Sequence, residues 1–191
     1  MLTRLIFFRH AVASGNKKHL MNGSKIDSEL TKKGREQAKK IAMNFSLKPD
    51  IILSSPLKRA RQTAYYFEKK YKLKAEIVKE LEEQDFGKWS GKNATKIKKL
   101  YPKFFMPYSN GELSNYVYFP PGGESYFELK KRVRKIFQKI KKEYKGKVVF
   151  IFCHGVVMLA ILEIVTKIKP PKLLTLSLKN GSFIDLLIKQ K

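Results

Sequence analysis

The chain has little cysteine, few acidic residues and few histidines. A single cysteine among 191 residues excludes an internal disulfide framework and any site built from several thiolates. No segment reaches about 18 consecutive apolar residues, so the sequence predicts no transmembrane helix and no membrane partner. The N-terminus has no cleavable signal pattern, so we expect a cytoplasmic protein. With 43% hydrophobic and 12% aromatic residues, residues 1–191 are expected to fold as a single domain.

Acidic residues are scarce: 16 stand against 41 lysines and arginines, which gives a formal net charge of +25. A charge of this size favours anionic partners, and it raises the question of a nucleic-acid-binding surface. The lysines are spread along the chain, as in Lys39-Lys40, Lys69-Lys70 and Lys141-Lys142, which favours solvated helix faces over such a surface. Arginine occurs only seven times, and each position is informative because bidentate phosphate contacts prefer arginine.

Segments with strand and helix patterns alternate along the chain. Short apolar runs predict strands near 3–9, 51–53, 75–78, 148–153 and 182–188. Helical spacing and capping residues predict a helix near 32–46 with Thr31 as its cap, and one near 56–70 with Pro56 in its first turn. Further helices are predicted near 93–100, 122–144 and 155–167. This alternation predicts an α/β fold, a three-layer α/β/α sandwich whose mostly parallel central sheet is flanked by helices.

The stretch from about 92 to 121 is the least regular part of the sequence. It is rich in proline, and seven aromatic residues lie between Tyr101 and Phe119. We expect a small cap excursion that covers the functional pocket, in which most of the aromatic side chains pack together and one or two face the substrate.

Two of the three histidines directly follow predicted buried strands. Arg9-His10 ends the first strand, and His154-Gly155 ends the strand at 148–153. Open α/β sheets place their active sites at the carboxyl ends of their strands. Arg59 follows the second strand, so two arginines and two histidines are expected at one edge of the sheet. A neutral imidazole can attack phosphorus, and cations can hold the phosphoryl oxygens.

Phosphoryl transfer also needs an acid for the leaving oxygen, and the segment 81–87 contains three carboxylates. Glu83 could supply this proton, and Glu82 and Asp85 could do the same. No carboxylate cluster suited to Mg²⁺ is evident, so arginines and histidines are expected to take a metal ion's electrostatic role. The sequence therefore predicts neither a metal ligand set nor another cofactor.

At this point the motifs resemble those of the histidine phosphatase superfamily, also called the phosphoglycerate mutase-like family. The resemblance spans nearly the whole chain, in the family's motif order. The matching residues are Arg9-His10 and Asn16; Leu30-Thr31, Gly34 and Gln37-Ala38; Ser54-Ser55-Pro56-Leu57, Arg59-Ala60 and Gln62-Thr63-Ala64; Leu81, Glu83, Phe86-Gly87, Trp89 and Gly91; Gly122-Gly123-Glu124-Ser125; and His154-Gly155. An Arg-His pair alone would be a weak signal, whereas this ordered set is specific.

The resemblance implies a role for each matching site residue. The implied catalytic residues are His10, Glu83, Arg9, Arg59 and His154, and the implied substrate-binding residues are Arg9, His10, Asn16, Arg59, His154 and Gly155. His10 would be the nucleophile that becomes phosphohistidine. Glu83 would protonate the leaving alcohol and then deprotonate the attacking water.

The chain departs from the family pattern directly after the Arg-His pair. Gly-Glu-Thr is frequent there in the family, whereas this chain has Ala11, Val12 and Ala13. The changes remove a carboxylate and a hydroxyl near the pocket. We expect them to leave the phosphate site intact and to alter the contacts at its rim.

The preferred function is metal-independent hydrolysis of a small phosphorylated metabolite through a phosphohistidine, which belongs to the phosphatase branch of the family. The compact chain favours hydrolysis over phosphoglycerate mutase-type transfer, because it lacks the longer insertions of typical cofactor-dependent mutases. Substrates resembling those of alpha-ribazole, phosphoserine or broad-specificity sugar phosphatases are the leading candidates. Two alternatives stay open: a mutase, and a basic phosphate- or nucleic-acid-binding module without chemistry. A homodimer also stays open.

Overall fold

The structure, a computed structural model, describes residues 1–101, 120–168 and 178–189. Its strands are β1 Leu2–Arg9, β2 Ile51–Ser54, β3 Glu76–Ile77, β4 Val148–Cys153 and β5 Phe183–Lys189. Its α-helices are α1 Ser14–Lys17, α2 Lys32–Asn44, α3 Lys58–Tyr71, α4 Ala94–Leu100, α5 Tyr126–Glu143 and α6 Gly155–Thr166. Two 3₁₀ turns cover Lys79–Leu81 and Gly87–Trp89. None of the described helices is long and apolar enough to cross a membrane.

The described strands form one five-stranded sheet in the order β3-β2-β4-β1-β5. Strands β1, β4, β2 and β3 run parallel, and β5 pairs antiparallel with β1 at one edge. The long crossovers that parallel strands require carry the helices across the two faces. Residues 5–8 of β1 and 149–152 of β4 are apolar and buried because both faces of the sheet are covered.

Alternate side chains of β1 divide between two hydrophobic cores. Leu5 and Phe7 pack in a core with residues of α5 and α6. Ile6 and Phe8 pack on the opposite face in a core with residues of α2 and α3. The helices therefore lie in pairs on the two faces of the sheet. This arrangement confirms the predicted α/β sandwich and its mostly parallel sheet.

The local signals for helix starts have different outcomes. Thr31 caps α2 as predicted, because its hydroxyl accepts a hydrogen bond from the Gly34 N–H at 2.9 Å. The prediction that Pro56 occupies a first helical turn is wrong, since α3 begins at Lys58. Leu57 keeps an extended backbone as the N-cap, and its carbonyl accepts the first helical hydrogen bonds.

The predicted cap excursion is only partly described. The short helix expected near 93–100 is α4, and Asn93 caps it by accepting from the N–H groups of Thr95 and Lys96. The rest of the excursion, residues 102–119 with most of the aromatic cluster, lies outside the described residues. The expected covering of the pocket by these aromatic side chains stays a prediction.

Candidate active site

The carboxyl edge of the sheet brings the two predicted histidines together. Strands β1 and β4 are in a register that places Arg9 beside Cys153, so the next residue of each strand is a histidine. The His10 N–H donates to the Cys153 carbonyl at 3.1 Å. The ring centroids of His10 and His154 lie 5.2 Å apart. Residues 144 positions apart in sequence therefore share one site.

The ring of His10 is held with one nitrogen available for chemistry. Its Nδ1 lies 2.8 Å from the carbonyl oxygen of Ala11, and a carbonyl can only accept a hydrogen bond. The proton is therefore on Nδ1, and Nε2 carries a lone pair. Burial of the ring, followed by the positive charges of Arg59 and Arg9, lowers the pKa of His10 well below its usual value. The imidazole is thus neutral near pH 7.

Arg59 reaches the site from the first turn of α3. Its guanidinium donates to the carbonyls of Gly23 at 2.8 Å and Ile26 at 2.9 Å, which fixes its plane. The side chain is buried, and burial lowers its pKa from the usual value. Its Nε has no hydrogen-bond partner within the described residues. Because a buried N–H without an acceptor is costly, this arrangement fits an anionic ligand.

Arg9 lies against the start of α6. Its Nη1 donates to the carbonyl of Leu178. A Cβ on Gly155 would lie 3.3 Å from the Arg9 Cζ, so a larger residue would crowd the guanidinium. His154 is the N-cap and Gly155 the first residue of α6, so the first amides of this helix face the same edge of the sheet. Helix N-termini favour bound anions.

Glu83 lies at the same helix start. Its carboxylate accepts from the Gln84 N–H at 3.0 Å and from the Val156 N–H, the second amide of α6, at 3.4 Å. The residue is buried, and its charge is close enough to act on Arg59. Asp85 instead accepts from the Gly87 N–H and pairs with Lys25 at 3.2 Å. The geometry therefore favours Glu83 over Asp85 as the acid.

Asn16 lies on the short helix α1, directly after the His10 segment. Its Oδ1 accepts from the Ala13 N–H at 3.1 Å, and this contact does not use the side-chain Nδ2. The Asn180 Nδ2 lies 3.5 Å from the same oxygen and donates to the His10 carbonyl at 3.2 Å. Asn180 follows no motif, and only the fold places it beside His10.

Two of the three residues after His10 lie away from the pocket rim, and for the third, the partly exposed Val12, altered rim contacts stay a prediction. Ala11 and Ala13 are fully buried and pack with Leu30 and Ala38. The Ala11 N–H donates to the Thr63 hydroxyl at 3.0 Å. Residues at these two positions therefore face the interior between α2 and α3, because the chain turns into the core after His10.

Ser55, Arg132 and Glu124 form hydrogen bonds to site residues or to the Glu83 segment, and the sequence did not predict these contacts. The Ser55 Oγ lies 2.8 Å from the His154 Nε2. Arg132 forms a bidentate pair with Glu124, with distances of 2.6 and 2.8 Å, and donates to the Glu80 and Glu83 carbonyls. Ser55 stands in a recognisable motif block, whereas Arg132 is one of many cations on a basic helix.

The electrostatic character of the site suits a phosphoryl group. Two guanidinium groups and two imidazoles converge at one sheet edge, and the Glu83 carboxylate lies beside them. Among the described residues, no group of three or more His, Cys, Asp and Glu side chains could hold a metal ion. All predicted site residues thus lie at this edge, and their roles in catalysis remain predictions.

Comparison with known proteins gives the same picture from sequence and from structure. A family model described as histidine phosphatase superfamily (branch 1) matches residues 5–191. Putative phosphoserine phosphatase 2 of Hydrogenobacter thermophilus is 30% identical, over 97% of this chain and 89% of its own length. The metal-independent phosphoserine phosphatase of Arabidopsis thaliana is 31% identical, over 84% of this chain and 67% of its own. A solved structure of mycobacterial glucosyl-3-phosphoglycerate phosphatase superposes with a TM-score of 0.81 at 25% identity, covering 98% of this chain and 91% of that one.

Proposed function

Because this chain belongs to the histidine phosphatase superfamily and is a phosphatase, we propose that it hydrolyses a small phosphate monoester through a phosphohistidine on His10. The observation that carries this proposal is the state of the His10 ring. Nδ1 is bound to the Ala11 carbonyl, and burial beside two guanidinium groups keeps the ring neutral. A neutral imidazole with its Nε2 lone pair available is a competent nucleophile toward phosphorus.

In the first step the Nε2 lone pair of His10 forms the bond to phosphorus as the bond from phosphorus to the ester oxygen breaks. Arg9 and Arg59 stabilise the negative charge on the nonbridging oxygens. Glu83, in its acid form, transfers its proton to the leaving oxygen, so the products are an alcohol and phosphohistidine.

In the second step water attacks the phosphorus of the phosphohistidine. The Glu83 carboxylate takes a proton from this water, and the electron pair of the phosphorus–nitrogen bond returns to the His10 Nε2. Inorganic phosphate leaves, and Glu83 is again in its acid form. The enzyme therefore returns to its starting state.

We also propose that this reaction needs no metal ion. The two guanidinium groups supply the positive charge that a divalent cation would otherwise supply to the phosphoryl oxygens. The name of the Arabidopsis relative, a metal-independent phosphoserine phosphatase, supports this part of the proposal.

The first substrate to test is phosphoserine, because two of the similar proteins carry that substrate in their names. Phosphoglycerate and sugar phosphates are tested next, since the similar mycobacterial protein is named as a phosphatase of a phosphoglycerate derivative. A single domain over 1–191, a cytoplasmic location and the oligomeric state remain predictions.

A mutase would share the first step and return the phosphoryl group to a second alcohol. A module that only binds phosphate would need the arginines but would have no use for a buried carboxyl at the position of Glu83. Isomerisation of 3-phosphoglycerate without release of phosphate would favour the mutase. Salt-sensitive binding of nucleic acid with no ester turnover would favour the binding module.

The central experiment measures phosphate release by the purified chain in the presence of EDTA. Phosphoserine and p-nitrophenyl phosphate should both be hydrolysed, and a radiolabelled substrate should leave an acid-labile label on the protein. His10→Asn should abolish turnover and labelling. His19→Asn is the matched control, because His19 is exposed and its left-handed backbone tolerates asparagine. Full activity in His10→Asn, or an absolute requirement for a divalent metal ion, would contradict the proposal.

A further inference from the structure

We propose that Ser55 is a positioning residue that sets the tautomer of His154, so that the proton sits on Nδ1 and is donated to a phosphoryl oxygen. The proposal rests on the proposed function for the identity of that oxygen.

Strand pairing brings Ser55 and His154 together. Ser55 directly follows β2, and its N–H donates to the Phe152 carbonyl at 2.9 Å, which continues the pairing of β2 with β4 by one residue. His154 directly follows β4. The Ser55 Oγ consequently lies 2.8 Å from the His154 Nε2, and both residues are fully buried. Bulk water does not compete for this hydrogen bond.

The hydroxyl of Ser55 has a defined direction. The Leu57 N–H donates to the Ser55 Oγ at 3.3 Å, so the oxygen already acts as an acceptor. Within the described residues, the acceptor in reach of the Ser55 O–H is the Nε2 of His154. If Nε2 carried the proton instead, this O–H would be left without an acceptor in that part of the chain. The favoured arrangement is therefore O–H donating to Nε2, with the ring proton on Nδ1.

The other ring nitrogen is set for a ligand. The His154 Nδ1 is buried and has no hydrogen-bond partner within the described residues. Burial first, and then the charges of Arg59, His10 and Arg9, lower the pKa of His154 well below its usual value. The ring is neutral and has one proton to place. A buried polar nitrogen without a partner indicates a group that arrives with the ligand.

The site of the proton decides what His154 can do for an anion. With Nδ1–H, the ring donates to a phosphoryl oxygen between the histidines and the arginines. With the proton on Nε2, the Nδ1 lone pair would face that oxygen and repel it. Ser55 would thus make His154 an uncharged hydrogen-bond donor. In other functional histidines, too, the hydrogen bond made by one ring nitrogen sets the state of the other nitrogen.

The neighbouring serine supplies a matched control. Ser54 is also fully buried at the end of β2, but its hydroxyl donates to the Ser55 carbonyl at 2.9 Å. Ser54→Ala removes the same atoms from the same strand end without removing the contact to His154. Ser55→Ala removes that contact, and Ser55→Thr keeps a hydroxyl.

The test is nitrogen NMR of the three histidines in ¹⁵N-labelled protein, with His19→Asn and His10→Asn used for assignment. In the wild type, and with inorganic vanadate as the phosphate analogue, the His154 Nδ1 should have the shift of a protonated nitrogen and Nε2 that of an acceptor. Ser55→Ala should shift the ring toward the other tautomer and lower kcat/KM by about a hundredfold, the order observed on removing one donor to a developing oxyanion. Ser54→Ala should change kcat/KM by less than about threefold, and Ser55→Thr should restore the wild-type tautomer.

A wild-type spectrum with the proton on Nε2 overturns the inference, even if the enzyme hydrolyses esters through His10. So does a Ser55→Ala variant that keeps both tautomer and rate. A protonated Nδ1 in a chain that hydrolyses no ester supports the positioning role and contradicts the proposed function instead. If Ser55→Ala does not fold, the wild-type spectrum and Ser55→Thr still decide the matter.

Discussion

Replacing Arg132 with methionine tests whether hydrogen bonds from Arg132 to the Glu83 segment are needed to position Glu83. Arg132 lies on α5, outside the phosphate-binding residues. It donates to both carboxylate oxygens of Glu124 and to the carbonyls of Glu80 and Glu83. Glu124 in turn binds the same segment, since its N–H donates to the Asp85 carbonyl at 2.9 Å. Arg132 and Glu124 therefore both fix the segment that carries Glu83.

The expected effect on stability follows from these contacts. The Arg132 and Glu124 side chains are only 23% and 18% exposed, so solvent screens the pair weakly. Losing the guanidinium leaves a half-buried carboxylate and two carbonyls without this donor. Hydrogen bonds to charged groups contribute about 1.5–3 kcal/mol each, and partial relaxation reduces the sum, so we expect a loss of about 3 kcal/mol. In a chain of this size the melting temperature should fall by roughly 6–12 °C.

The expected effect on catalysis depends on the leaving group. A loosened Glu83 protonates the leaving oxygen less well, so Arg132→Met should lower kcat for phosphoserine by about tenfold. It should change kcat for p-nitrophenyl phosphate by less than about threefold, because nitrophenolate leaves without protonation. Urea unfolding and steady-state kinetics with both esters measure the two effects.

The control is Arg134→Met, because Arg134 is exposed on the same helix and has the same charge. It should leave both kcat values and the free energy of unfolding nearly unchanged. Equal losses of kcat for the two esters in Arg132→Met would refute the reasoning, since they would show that Arg132 does not act through the proton donor.

Three further predictions concern the acid, the histidines and a helix end. Glu83→Gln should lower kcat for phosphoserine by about 10²–10³-fold and for p-nitrophenyl phosphate much less, as measured by steady-state kinetics; equal losses would remove Glu83 from the role of acid. Because burial lowers the folded-state pKa of His10 and His154, the unfolded chain binds more protons as the pH falls through about 6.5. The free energy of unfolding should therefore fall between pH 7 and 5, and His10→Asn should flatten that slope in urea titrations; an unchanged slope would contradict the cause. Lys70 donates to three carbonyls at the end of α2, so Lys70→Met should lower the free energy of unfolding by about 1 kcal/mol while kcat stays the same. A Lys70→Met chain as stable as the wild type would show that these contacts do not stabilise the fold.

Much of the fold could be predicted because its signals are local. The apolar runs of β1 and β4 are buried on both faces, so composition alone marks them as central strands. Thr31 caps α2 through a hydrogen bond that spans only three residues. Pro56 was misassigned because proline fits both a first helical turn and the extended segment before it, and the backbone of Leu57 decides between them.

Some features of the site could likewise be predicted from the sequence, and others depend on the tertiary structure. His10 and His154 could be predicted because each follows a buried strand, and parallel strands present their carboxyl ends at one edge. Glu83 was preferred through resemblance, and its contact with the Val156 N–H of α6 is what separates it from Asp85. The buried positions of Ala11 and Ala13 could not be predicted, since they depend on how α2 and α3 pack around the turn after β1.

The sequence by itself determined the alternation of strands and helices, the two histidines at strand ends and the ordered motifs of the family. These features depend on neighbouring residues and on strand direction. Only the tertiary structure decided that Arg132 contacts the Glu83 segment, and which nitrogen of each histidine is free of a protein hydrogen bond. The hydrogen bond between Ser55 and His154 joins residues that are far apart in sequence, and burial of the site is created only by packing.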